Sequence, residues 1–279
     1  TLFRSYQGHH ATSRYRHSND MLSFLTDPDI LKESIRNHQF KVYLQPKINV
    51  SQETLCGAEA LVRYQDKDGI IVSPDKFIPI LENTYLISKI DFYVFEQVCK
   101  TLHNWHQQKQ PLFTISTNFS KSSFMDGNFV KRIEVISDKY QIRREFLEIE
   151  ITENSSDTDF DTLVKRIHQI RTAGFKVAMD DFGIESSNLT LPSLTEFDVL
   201  KIDKSFVKDI VSNKRAQIII GTMAKLCGEM NIQMIAEGIE NKQQLDIMKK
   251  YGVDTIQGYY FSKPISIPEF EKTYLRQPV

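Results

Sequence analysis

Two adjacent aspartates, Asp180 and Asp181, end a short apolar run that begins at Val177, and they are followed by Phe182 and Gly183. Such a run is typical of a buried strand, so the carboxylates are expected where the chain leaves the sheet. Adjacent buried carboxylates repel each other and lose hydration unless a positive charge lies between them. The pair therefore predicts a cation, and a metal ion suits this oxygen-rich position.

Further polar residues follow strand-like runs elsewhere in the chain: Glu59, Asn118, Glu150, Lys201, Glu237 and Gln257. Carboxylate and amide oxygens suit Mg²⁺ or Mn²⁺ and argue against zinc. Two such ions, roughly 3.5–4 Å apart, can activate a water and stabilise the charge that develops in phosphoester cleavage. Lys201 could orient that water, and Arg63, near Glu59 on its strand, could bind a phosphate.

Each candidate residue also has an ordinary structural interpretation. Asn118 alone is more often a turn residue, the aspartate pair could cap a helix, and a lone lysine is most often solvated. Glu148 and Glu150 alternate on one strand, so one of them could face solvent or helices. Recurrence at strand after strand nevertheless favours one common site, because chance would scatter polar residues to both strand ends.

Strand-like and helix-like patterns alternate about eight times along the chain. They predict strands at 41–48, 55–64, 112–118, 146–152, 175–179, 199–202, 232–236 and 254–257, and helices at 74–107, 129–140, 160–172, 216–230 and 242–251. This α/β alternation favours a closed (β/α)₈ barrel of the TIM type, with its site at the carboxyl ends of the strands. Pro46 makes the first strand edge-like or terminal, and no glycine-rich nucleotide-binding loop occurs.

The composition is that of a folded domain: of 279 residues, 41% are hydrophobic and 25% are charged. The net charge of −1 gives no reason to expect a nucleic acid polymer or an anionic membrane as partner. Cys56, Cys99 and Cys227 lack metal-site spacing and predict a reducing, cytoplasmic location. No apolar run has the length of a membrane span. Because the chain begins at Thr1, we expect a longer protein, which could be membrane-attached.

The motifs, taken in order, resemble the EAL domain, the phosphodiesterase of the bacterial messenger cyclic di-GMP. They are Gln45-Pro46, Glu59-Ala-Leu-Val-Arg63, Asn118-Phe-Ser120, Glu150-Ile-Thr-Glu153, Asp180-Asp-Phe-Gly183, Leu200-Lys-Ile-Asp203, Ala236-Glu-Gly-Ile-Glu240 and Gln257-Gly-Tyr-Tyr-Phe-Ser-Lys-Pro264. Each motif is weak alone, but the ordered set is specific. The resemblance implies hydrolysis of cyclic di-GMP to linear pGpG, an antiparallel first barrel strand, and a homodimer formed through the loop after the aspartate pair and a neighbouring helix.

The resemblance also implies a role for each candidate residue. The first of two cations, Mg²⁺ or Mn²⁺, would be held by Glu59, Asn118, Glu150 and Asp180. The second would be held by Asp180, Asp181 and Glu237, so that Asp180 bridges the two. Lys201 would contact the nucleophilic water and complete the catalytic set of Glu59, Asp180, Asp181, Lys201 and Glu237. Substrate would lie along Gln45, Arg63 and Gln257, and Glu153 would brace a loop.

The resemblance divides the chain into two parts. Residues 26–279 form the expected EAL domain. Residues 1–25 are expected to be a linker and the tail of an upstream GGDEF-like domain, because Ser5-Tyr-Gln-Gly-His-His-Ala11 resembles the closing segment of such a domain. On composition alone, this basic, histidine-rich start is a linker.

The chain departs from the family pattern directly after the aspartate pair. Where the family has threonine, glycine, tyrosine and serine, this chain has Ile184, Glu185, Ser186 and Asn188. Glu185 is strained if the position needs positive φ, and it adds negative charge beside the site. Two hypotheses remain: an active phosphodiesterase, favoured because the ligands and Lys201 are intact, and a cyclic di-GMP receptor with little or no turnover. A hydrolase of another phosphoester is a third, which the ordered motifs disfavour.

Overall fold

The strands of this chain close into a barrel in the computed structural model, which describes residues 22–152, 160–182 and 196–275. In chain order they are β1 (Phe40–Asn49), β2 (Thr54–Gln65), β3 (Ile71–Val72), β4 (Thr114–Asn118), β5 (Leu147–Thr152), β6 (Lys176–Phe182), β7 (Val199–Ile202), β8 (Gln233–Ala236), β9 (Thr255–Ile256) and β10 (Ile265–Ser266). Pairing of β1 with both β2 and β9 closes the ring, and β3 and β10 flank it. The expected eight-stranded barrel is confirmed.

The first strand runs antiparallel to its neighbours β2 and β9, whereas the strands from β2 through β4 to β9 pair in parallel. The antiparallel first strand is thus confirmed, but its interpretation as an edge strand is wrong. On the side away from β2, β1 pairs with β10 at Tyr43 and Leu44 and with β9 at Ile48 and Asn49. Pro46 falls between these two short ladders, where a missing backbone N–H costs no ladder bond.

Helices connect the strands and cover the outside of the barrel. They are α1 (Pro28–Arg36), α2 (Pro74–Asn83), α3 (Ile87–Gln107), α4 (Lys121–Phe124), α5 (Phe129–Lys139), α6 (Phe160–Thr172), α7 (Lys204–Lys208), α8 (Lys214–Glu229), α9 (Lys242–Lys250) and α10 (Ile267–Phe270). Local signals start several of them: the Asp27 side chain accepts from the amides of α1, and Asn241 forms a capping box with Gln244 at the start of α9. Within the described ranges, no helix has the length and apolar character needed to cross a membrane.

The helical character predicted for 74–107 is confirmed, but the structure divides this segment into α2 and α3. The Thr84 hydroxyl donates to the Ile80 carbonyl at 3.1 Å and competes with helix continuation. Tyr85 then adopts φ of 56°, a left-handed conformation that no α-helix interior contains. The apolar periodicity continues across this break, which explains why the sequence pattern does not reveal it.

The apolar core lies between the barrel and its helices. Ile115, Ile149 and Val177 are fully buried and join one cluster with helix residues such as Phe95 and Ile167. Because strand side chains alternate, the residues between these apolar positions point into the barrel. The barrel interior is therefore the place where polar side chains from different strands meet.

Two glycines allow close backbone approaches beside candidate residues. Gly238, after Glu237, has φ of 67°, and a Cβ there would lie 2.3 Å from the Cβ of Lys204. At Gly258, after Gln257, a Cβ would lie 2.4 Å from the backbone nitrogen of Ile239. A side chain at either position must displace backbone or strain it, so these glycines fix how the adjacent polar residues enter the barrel.

We predict that Gly258→Ala lowers the free energy of unfolding by about 3 kcal/mol, because the added methyl group overlaps the Ile239 backbone. Urea unfolding measures the change. Gly228→Ala is the matched control: a Cβ at this position in α8 meets no atom within 4 Å, and alanine should stabilise the helix by about 0.5–1 kcal/mol. Equal stability of Gly258→Ala and wild type would contradict the prediction.

Candidate metal centre

Three carboxylates from different strands of the barrel converge on one point. Glu59 of β2, Glu150 of β5 and Asp180 of β6 each offer a ligand atom, and these atoms lie within 4.8 Å of one another. Parallel register produces the convergence, since Asn118 pairs with Glu150 and Thr152 pairs with Asp180. All three carboxylates are buried. Such a set of hard oxygen donors suits a divalent cation.

The Lys201 ammonium lies at the centre of this cluster and is almost completely buried. Its Nζ is 2.9 Å from Glu150 Oε2, 3.2 Å from Asp180 Oδ1 and 3.3 Å from Glu59 Oε2. Glu237 Oε1 approaches the same nitrogen to 2.7 Å. One positive charge therefore contacts four carboxylates, which leaves the cluster with an excess of negative charge.

The excess charge appears in the pKa values of the cluster. Burial raises the pKa of Asp180 well above its ordinary value, and the neighbouring Glu237 charge adds to the rise despite the opposing effect of Lys201. Burial likewise raises the pKa of Glu237 to about 7, against Lys201. Lys201 cannot keep every carboxylate ionised near neutral pH. A bound divalent cation would supply the missing positive charge, so the residues present fit such an ion.

Amide side chains organise Glu59. The Asn118 Nδ2 donates to Glu59 Oε1 at 2.7 Å, and the Gln257 Nε2 donates to Glu59 Oε2. Gln257 also donates to Gln45 Oε1 at 3.1 Å, and Gln45 donates to the Ser262 carbonyl at 3.2 Å. Gln257 Oε1 is buried and accepts no hydrogen bond from any described residue. The structure thus brings the predicted residues Gln45, Asn118 and Gln257 to Glu59, with one acceptor open to a further donor.

Asp181 occupies a different position from its neighbour. The pairing of β6 with β7 shifts register between Met179 and Phe182, and Asp181 adopts φ of 58°. This bulge changes the direction of the chain at the aspartate pair. Asp181 is half-buried, and burial, followed by the charge of Asp203, raises its pKa. Neither Asp181 nor Glu237 belongs to the group of three that lies within 4.8 Å.

Arg63 lies on the strand of Glu59 but outside the cluster. Its guanidinium carbon is 5.7 Å from the centroid of the Tyr43 ring, and its Nη1 donates to the carbonyl of Val62. Arg63 forms no ion pair with an acidic residue in the part of the chain that the structure describes. The guanidinium is half-buried and available for an anion. Glu153, Ile184, Glu185, Ser186 and Asn188 lie outside the described residues.

A second charged group lies beside the cluster, and sequence reasoning missed it. The Lys47 Nζ donates to Glu148 Oε1 and Ser116 Oγ, each at 2.8 Å, and to Glu150 Oε1 at 3.1 Å. The interpretation that Glu148 or Glu150 faces solvent or helices is therefore wrong, because both carboxylates are buried against Lys47. The alternation of Gln45 and Lys47 on β1 was the available signal that Lys47 faces the interior.

The loop after Asn118 depends on Asp91 of α3, which the sequence pattern places only on a helix. One carboxylate oxygen, Oδ2, accepts from the Ser120 amide at 3.0 Å and from the Ser120 and Ser123 hydroxyls at 2.6 Å each. Burial raises the pKa of Asp91 to about 6, although these hydrogen bonds oppose the rise. Asp91 fixes the backbone two residues beyond Asn118 and so orients that candidate ligand.

The fold and the site define this protein as an α/β barrel with a buried acidic centre suited to hard cations. The EAL domain family model matches residues 29–264, and the chain belongs to the EAL domain family.

Individual relatives agree with this assignment. Signaling protein YkoW of Bacillus subtilis is 33% identical over 251 residues, which are 89% of this chain and 31% of YkoW. Probable cyclic di-GMP phosphodiesterase PdeG of Escherichia coli is 31% identical over 253 residues, which are 91% of this chain and 50% of PdeG. The structure of EAL enzyme Bd1971 in its cAMP- and cyclic-di-GMP-bound form matches with a TM-score of 0.81 and 27% identity, and it covers 95% of this chain and 70% of that one. The chain thus spans a third to a half of these curated relatives.

We predict that Asp91 makes stability fall as pH rises from about 4 to about 6. In this window the unfolded chain releases the proton at the ordinary pKa of 3.8, whereas the folded protein retains it until about 6. Across this window the free energy of unfolding should fall by about 3 kcal/mol more in wild type than in Asp91→Asn, because asparagine does not ionise.

Urea unfolding of both proteins at pH 4 and pH 7 measures the difference. Asp246→Asn, at an exposed position of α9, is the control and should follow the wild-type pH profile. If the free energy of unfolding depended on pH in the same way in wild type and Asp91→Asn, the raised pKa of Asp91 would be contradicted.

Proposed function

We propose that this domain hydrolyses one phosphodiester bond of cyclic di-GMP to give linear pGpG, with two divalent cations, Mg²⁺ or Mn²⁺. The observation that carries the proposal is the deficit of positive charge around Lys201, where four carboxylates, three of them buried, share one ammonium. The substrate follows from the family, from the name of the relative PdeG and from the cyclic-di-GMP-bound Bd1971 structure.

The proposed cation ligands divide into two groups. The first cation would be held by Glu59, Asn118, Glu150 and Asp180, and the second by Asp180, Asp181 and Glu237. When bound, such ions lower the pKa of water and stabilise negative charge on phosphoryl oxygens. The hydrogen bonds of Asn118 and Gln257 to Glu59 hold that carboxylate in place before any ion arrives.

Lys201 acts as a hydrogen-bond donor in this proposal and not as a base. Burial alone would lower its pKa, but Asp180, Glu150 and Glu237 outweigh burial and raise the pKa well above the ordinary value. The ammonium is therefore protonated in the cation-free site. With the carboxylates engaged as cation ligands, Lys201 would be free to donate to the attacking water and hold it in line with the phosphorus.

Substrate recognition is assigned to Arg63, Gln45 and Gln257. Arg63 has a guanidinium without an acidic partner in the described ranges, and such a group can bind two oxygens of one phosphate. Gln45 and Gln257 form a joined amide pair next to Glu59. Together these residues provide donors for a dianionic cyclic dinucleotide beside the cation site.

We expect the full chain to convert cyclic di-GMP to pGpG with Mg²⁺ or Mn²⁺, and chelation with EDTA to abolish conversion. Asp180→Asn keeps the side-chain shape but removes the bridging charge, so it should reduce turnover roughly 1,000-fold. Chromatographic separation of substrate and product measures the reaction. Asp246→Asn, a substitution of the same type at an exposed position, is the matched control and should retain wild-type turnover.

The alternative function is a cyclic di-GMP receptor with little or no turnover, which the altered residues Ile184, Glu185, Ser186 and Asn188 favour. Tight binding without product would select the receptor, and absence of binding would reject both functions. Glu185→Gly restores the family residue. If the loop limits catalysis, turnover rises in this variant, and unchanged turnover would show that the loop argument is wrong.

We also propose that the domain forms a homodimer in the cytoplasm, with residues 1–25 joining it to an upstream GGDEF-like or sensor domain. An apolar stripe on α8 supports the dimer, because Ile218 is 63% exposed, Ile219 45% and Leu226 40%. Exposed aliphatic residues on one helix are typical of an interface. The greater length of the relatives supports the upstream domain.

We predict that Ile218→Glu combined with Leu226→Glu converts the dimer to a monomer, because four facing carboxylates would repel across the interface. Sedimentation velocity measures the state. Val135→Glu, on the exposed face of α5, is the control for adding charge to an exposed apolar position. A wild-type chain that sediments as a monomer, or a double variant that stays dimeric, would contradict this interface.

A further inference from the structure

We propose that Lys47 is a positioning residue for the cation centre: it holds one oxygen of Glu150 and thereby presents the other oxygen to the cation. The inference rests on the function proposed above, because it assigns a role around the same carboxylates. The sequence motifs assign no role to Lys47. Its role follows from the contacts of its ammonium group.

The two oxygens of Glu150 have different partners. Oε1 accepts from the Lys47 Nζ at 3.1 Å, whereas Oε2 accepts from the Lys201 Nζ at 2.9 Å. Glu150 is fully buried, so water cannot replace either partner. Only Oε2 faces the group formed with Glu59 and Asp180, since Lys201 contacts all three carboxylates. Lys47 thus determines which oxygen of Glu150 is available as a ligand.

Lys47 restricts the rotation of the Glu150 carboxylate. The terminal torsion of glutamate is broad and roughly two-fold, so one hydrogen bond leaves the carboxylate free to rotate or to offer both oxygens. Two ammonium groups on opposite oxygens define its plane. The ligand oxygen is therefore oriented before a cation binds.

The barrel is built to admit the Lys47 side chain. Lys47 pairs with Gly57 across the antiparallel β1–β2 ladder. A Cβ at Gly57 would lie 3.0 Å from the Thr114 carbonyl oxygen, so glycine allows the close approach of β4, and it would be in ordinary contact, at 3.6 Å, with Lys47 Cδ. Ser116 and Glu148 hold the ammonium at 2.8 Å each. The ammonium is thereby anchored independently of Glu150.

A simple ion pair with Glu148 is the competing interpretation of Lys47. Lys47 and Glu148 balance each other in charge, and a buried pair of this kind can serve stability alone or contribute nothing to it. The two interpretations differ in what Glu148 does for the cation. If Lys47 acts through Glu150, loss of Glu148 leaves the important contact in place. If the pair is only structural, loss of either member has the same consequence.

The test is calorimetric titration of the full chain with Mn²⁺ alone, without substrate. Lys47→Met removes the ammonium but keeps an unbranched stem out to the Cε position, and it should weaken Mn²⁺ binding roughly 10- to 100-fold, as loss of a residue that orients a metal ligand does. Glu148→Gln should change Mn²⁺ affinity less than about threefold, because Lys47 still holds Glu150. With saturating Mn²⁺, the KM of Lys47→Met for cyclic di-GMP should equal that of wild type.

The double variant Lys47→Met with Glu148→Gln keeps the interior charge balanced, so it covers the case in which Lys47→Met fails to fold. Compared with Glu148→Gln alone, it should again bind Mn²⁺ roughly 10- to 100-fold more weakly. Wild-type affinity in both lysine variants, or equal weakening by Glu148→Gln, overturns the inference and leaves the proposed function intact. A wild-type chain that binds no Mn²⁺ overturns the proposed function and the inference together.

Discussion

The contact between one buried ammonium and four carboxylates is the constraint on which the site depends. The Lys201 Nζ lies 2.7–3.3 Å from Glu237, Glu150, Asp180 and Glu59. Removing charges from water is costly, and mutual attraction offsets the cost only where the charges balance. They do not balance here, as the raised pKa values of Asp180 and Glu237 show. The barrel therefore holds its carboxylates in an arrangement that an added cation would stabilise.

The antiparallel first strand helps the barrel to hold charged groups at two levels, one at the rim and one below it. Parallel strands bring their carboxyl ends to one rim, which explains the convergence of Glu59, Glu150 and Asp180. β1 enters in the opposite direction and supplies Gln45 to the rim and Lys47 below it. At the lower level Lys47 and Glu148 balance each other. The unbalanced charge is thus confined to the rim.

The sequence predicts the carboxylates at the barrel rim but not the residues that hold them in place. Glu59 and Glu150 lie within apolar runs and Asp180 ends one, and strand periodicity indicates that such residues share the inner face of a barrel. Lys47 gives no comparable signal, because its partner Glu148 is 101 residues away and a lysine in a strand is most often solvated. The role of Asp91 could not be predicted for a similar reason, since its serine partners lie on another element. The helix break at Tyr85 could not be predicted, because the apolar periodicity continues across it although the helical backbone is interrupted.

The altered loop after Asp181 should affect the second proposed cation group more than the first. Glu59, Asn118 and Glu150 belong to strands whose geometry is fixed by continuous pairing and by Lys47, Asp91 and Gln257. Asp181 instead follows a bulge, has positive φ and immediately precedes the altered segment. A weakened loop should therefore affect the second cation group, through Asp181, before it affects the first. In that case the two functions proposed above, phosphodiesterase and receptor, would differ in the occupancy of the second proposed cation position, because both would share the first proposed cation group and the proposed substrate-binding residues.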